Sequence, residues 1–165
     1  MHQLDLDPRS RSHKLREMYW NDEQATFRQE QIVVGSDETS LVGKARDFEA
    51  VLDSTPAAMQ DVDLLAGMSL AIPAQGSSID LGEYDGHYTP GHANILLHGL
   101  TGIRDRATSK LTTETDLEKR DFLEAAAIAY EAARRFVAKH ANHLELLTAT
   151  ESHSTRKQEL AKAAA

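Results

Sequence analysis

Residues 84–111 read YDGHYTPGHANILLHGLTGIRDRATSKL, and within them loop chemistry gives way to helix chemistry. Thr89-Pro90 offers an N-cap followed by a proline at the first helical position. Ile95, Leu96, Leu100, Ile103 and Ala107 then gather on one side of a helix expected to run to about Leu111. Gly99 and Gly102 each weaken that helix by about 1 kcal/mol relative to alanine, so close packing or a bend is expected there.

Immediately upstream, residues 74–90 (AQGSSIDLGEYDGHYTP) form the longest irregular stretch, rich in glycine and small polar residues, with Tyr84, His87 and Tyr88 among them. A long ordered loop in a compact domain is more often functional than filler. Before it, Leu64 to Met68 and Leu70 to Ile72 make an apolar run ending at Pro73, which reads as a short strand or extended buried segment.

Further toward the N-terminus the pattern is helical. Ser10–Trp20 places Leu15, Met18 and Tyr19 on a shared face, and a weaker helix from about Asp22 to Val34 ends at Gly35-Ser36-Asp37. Leu41–Leu52 spaces Leu41, Ala45, Phe48 and Leu52 three or four apart, and Thr55-Pro56 opens a short turn through Met59. Toward the C-terminus, Thr115 and Glu118 have the spacing of a capping box and start the longest helix. Phe122, Ala126, Ala129, Ala133, Phe136, Val137, His140, Leu144 and Leu147 make its apolar stripe, and Ser154 is expected to cap a final helix from Thr155 to Ala165. The expected fold class is mainly α, with one short strand or extended segment.

The chain has 165 residues, the usual size of one domain. Its formal net charge is −8, which argues against a nucleic-acid binder. Arg9, Arg11, Lys14 and Arg16 cluster without an aromatic platform and read as a solvated helix face. No run of about 18 apolar residues exists, so no membrane span is expected. The first twenty residues lack the apolar centre of a secretory signal, and a cytoplasmic location is expected. The absence of cysteine excludes disulfides, thiolate metal sites and cysteine nucleophiles.

Several chemistries can be weighed on the residues. His140 and His143 are close enough on a helix to share a metal, but no carboxylate completes a set, and a satisfied core histidine is the simpler reading of His140. His87 and His92 flank a helix start, with Asp85 and Glu83 nearby, on spacing alone. No Gly-x-Ser-x-Gly elbow is present, and Gly82-x-x-x-Gly86 lacks the Lys-Ser/Thr of a phosphate loop. His87 stands out: on a glycine-flexed loop two residues before a helix cap, it can project into a cavity and donate to a substrate hydroxyl or carboxylate, or shuttle a proton. The plainer alternative is a loop histidine that bonds backbone and fixes the turn.

The 84–111 segment resembles the Gly-His-x-Thr-Pro segment and following helix of the pyruvate formate-lyase domain in glycyl radical enzymes. It is most similar to the branch that includes glycerol dehydratase and choline trimethylamine-lyase. SHKLREMYW (12–20) resembles that domain's opening helix and DLLAGMSLAIP (63–73) its apolar segment before the loop. Residues 122–147 resemble the long helix, and ESHSTRKQELAKAAA (151–165) resembles the next helix start.

The resemblance implies that residues 1–165 are the N-terminal portion of such a domain, one lobe of a ten-stranded α/β barrel. The cysteine loop and the glycyl radical loop of the family would lie beyond this sequence. It implies a radical lyase or dehydratase cleaving a C–O, C–N, C–C or C–S bond, or formate acetyltransferase-like chemistry, with this portion inactive by itself. His87 matches a substrate-facing position, with Asp85 and Tyr88 as neighbours to watch, and no catalytic or metal-binding residue is expected in the chain. The implied partners are the remainder of the enzyme, a small-molecule substrate, and an S-adenosylmethionine [4Fe–4S] activase that installs the glycyl radical. Exposed helix faces make self-association expected. The competing reading is a standalone helical scaffold or binding module that complements a separate catalytic chain or docks the activase.

Overall fold

The computed structural model describes residues 5–20, 40–59, 61, 63 and 91–165, with side chains in the first helix described through Glu17. Five helices account for most of them: α1 (Pro8–Trp20), α2 (Leu41–Ser54), α3 (His92–Leu111), α4 (Leu117–Thr150) and α5 (Ser154–Ala164).

Each start has a local cause. The Asp7 carboxylate accepts from the backbone N–H groups of Arg9 (3.1 Å) and Ser10 (2.9 Å), and Pro8 occupies the first helical position, so α1 begins earlier than the apolar spacing predicts. The Ser40 hydroxyl accepts from Gly43 N–H at 3.0 Å and starts α2. The start of α4 differs from the expected Thr115–Glu118 box. Asp116 is the cap, accepting from Lys119 N–H at 3.2 Å, while Glu114 folds back on the N–H groups of Thr115 and Asp116. α5 begins at Ser154, one residue before the expected start, with His153 at the cap position and no side-chain cap bond.

α3 is broken where glycine permits it. Gly99 has φ 63° and ψ 175°, inside an otherwise helical run. That region of backbone space is essentially glycine-only. No atom lies within 4 Å of where a Cβ would be, so the bend expected at Gly99 is torsional and owes nothing to close packing. Gly91 stands at the N-cap position without a side-chain cap bond, and α3 starts at His92, two residues beyond Pro90. A three-centre turn joins α3 to α4: Thr113 and Glu114 N–H reach Lys110 O, and Arg120 Nη1 donates to the carbonyls of Leu111 and Glu114.

The chain divides into two compact units, one comprising 1–29, 55–70 and 137–165, the other 30–54 and 71–136. In the first, Leu144 and Leu160 are buried; in the second, Ala45, Val51, Leu52, Ala107 and Ala132 are. The expected stripe on α4 is only partly inward. His140 and Leu144 are buried, whereas Phe122 is 61% and Val137 57% exposed. Residues 132, 140 and 144 lie on one i, i+4 row, which is the row that goes inward.

The expected fold class is corrected here. The described residues are helices and their connections, with no strand and no sheet, so nothing in them forms a wall of a ten-stranded α/β barrel. Helices satisfy their backbone groups internally and need no neighbouring strand. Residues 56–59 carry no helical turn after Thr55-Pro56. The apolar run 64–72 and the helix expected at 22–34 lie outside the described residues. No described helix is long and apolar enough to cross a membrane.

Candidate functional site

The site residues expected from sequence, Asp85, His87 and Tyr88, lie outside the described residues. Described structure resumes at Gly91, and the first two turns of α3 that follow are exposed throughout. They present Leu96 at 85% and Leu97 at 76% exposure, with Ile95 beside them, before the break at Gly99. His92 is exposed.

Among the described residues no group of three or more His, Asp or Glu side chains can hold a metal ion. His140 is buried and has an interaction partner, as a core histidine should, while His143 is half-buried. An iron–sulfur cluster does not fit this chain either, because no cysteine thiolate exists to ligate one.

What the fold does bring together is charge. In the first unit, Arg11 on α1 and Arg156 on α5 share one carboxylate, Glu159. Arg11 binds it through both terminal nitrogens, at 2.8 and 2.9 Å, and Arg156 Nη1 donates to it at 3.0 Å. Each arginine also donates to a backbone carbonyl: Arg11 Nη2 to Asp61 O (3.0 Å) and Arg156 Nη1 to Asp63 O (2.8 Å). The bond from Arg11 holds the Glu159 carboxyl below its ordinary value; burial opposes this, and Arg156 reinforces it.

The second unit holds two related clusters. Arg134 and Arg104 both bind Glu131, and those bonds pull its pKa down to about 2 against a small effect of burial. Arg135 donates to Glu49 and Asp53, each at 2.8 Å. Burial alone would raise Glu49, but hydrogen bonds from Arg135 and Arg46 outweigh it and leave it lowered.

These clusters orient helices; their cations are already matched by carboxylates and carbonyls. Sequence reading missed Arg11, which belongs to the basic cluster expected on a solvated face yet is 3% exposed. Its carboxylate partner is 148 positions away, and no local spacing announces it.

In the first unit a pocket of about 190 Å³ opens beside Arg156, with Asp61 and Glu151 on its polar side and Met59, Leu147 and Leu160 on its apolar side. Ligand sites usually run to roughly 300–1,000 Å³. At about 190 Å³ this pocket falls short of that range.

Comparison with known proteins gives one finding. A family model described as "Pyruvate formate lyase-like" matches residues 78–165, more than half of the chain. The matched region takes in the YDGHYTP segment, α3, α4 and α5, and leaves α1 and α2 outside, so the likenesses at 12–20 and 63–73 are not part of it. No curated protein and no solved structure matches the chain.

Proposed function

Because the chain belongs to the pyruvate formate lyase-like family, we propose that it is part of a glycyl radical lyase or dehydratase and is inert by itself. The observation that carries this reading is the family match over 78–165 in a chain without cysteine. In the resembled family a sulfur-centred radical removes a hydrogen atom from an unactivated substrate carbon. A chain without sulfhydryl groups has no such reagent, so the cysteine comes from another part of the enzyme. The radical is installed by an S-adenosylmethionine [4Fe–4S] activase, to which the cluster belongs.

This chain's own contribution is a helical frame and one substrate contact. His87 donates a hydrogen bond to a hydroxyl or carboxylate of a small substrate, with Asp85 and Tyr88 beside it. Support comes from its place on a glycine-flexed segment just before a helix, inside the matched region. The glycerol dehydratase and choline trimethylamine-lyase branch is the one the segment is most similar to. In the full-length enzyme, His87→Ala lowers turnover while the glycyl radical signal in electron paramagnetic resonance forms as before. Unchanged kinetics would remove the role.

The all-helical character of the described residues favours a second reading: a helical module complementing a separately encoded catalytic chain. Downstream DNA discriminates. An in-frame continuation with a cysteine loop and a glycine loop supports the first reading. A stop codon followed by a gene lacking this region supports the second.

A further inference from the structure

We draw no further inference here: the strongest candidate, the exposed apolar patch of Ile95, Leu96 and Leu97 on the first two turns of α3, carries nothing because nothing in the structure shows what covers it.

Discussion

Substituting Gly99 by alanine sets two backbone energies against each other. At φ 63° and ψ 175° an alanine is strained by on the order of 1–3 kcal/mol. In helical geometry the same alanine gains about 1 kcal/mol over glycine. Together these favour straightening of α3 in Gly99→Ala by roughly 2–4 kcal/mol. Opposing this is whatever packing the bent segment would lose, and residues 91–99 are all exposed. A Cβ at 99 meets nothing within 4 Å, so no clash confuses the comparison. The expected result is a continuous α3, read as increased helical ellipticity in far-ultraviolet circular dichroism and slower amide exchange at residues 99–103, with thermal stability nearly unchanged. Helicity equal to wild type, with a stability loss of about 2 kcal/mol or more, would refute the reasoning, because the bend would then be imposed by contacts and not by glycine's freedom. Gly102 is not an equivalent control, since a Cβ there sits 3.2 Å from the His98 Cβ.

Other consequences follow from burial and charge. Leu144 is fully buried, and Leu144→Ala should cost about 2–5 kcal/mol in denaturant unfolding, while Val137→Ala on the same helix, at 57% exposure, should cost well under 1 kcal/mol. Glu131 has its pKa depressed from 4.5 to about 2, so its bonds to Arg134 and Arg104 contribute stability above the higher value that is lost as pH falls toward the lower. An acid titration of stability should therefore show wild type and Glu131→Gln differing at neutral pH and converging by about pH 2. A difference that persists unchanged in acid would contradict the assignment.

How far the molecule can be read from its residues depends on the range of the forces involved. Helix existence is legible at α1, α2, α3, α4 and α5 because periodic apolar spacing is local. Starts are less so: Asp116 competes with Thr115 as a cap and wins by one residue, and Asp7-Pro8 is a start signal that lies ahead of the apolar spacing set by Leu15, Met18 and Tyr19. Glycine at 99 announces a weak point, but the direction of the bend needs the backbone angles. Family membership is legible in 84–111 and in the helices after it, where a specific ordered pattern persists. The barrel was an inference from that likeness and not from any strand pattern, and the described helices do not carry it. Arg11 was illegible in principle, since a buried cation is marked by its partner and Glu159 is distant in sequence.

Most direct is a turnover measurement on the purified 165-residue chain under anaerobic conditions, with S-adenosylmethionine, reductant and a glycyl radical activase, offered glycerol and choline. The account predicts no conversion of either substrate until a cysteine-bearing remainder of the enzyme is supplied. Conversion by this cysteine-free chain without that remainder would contradict it.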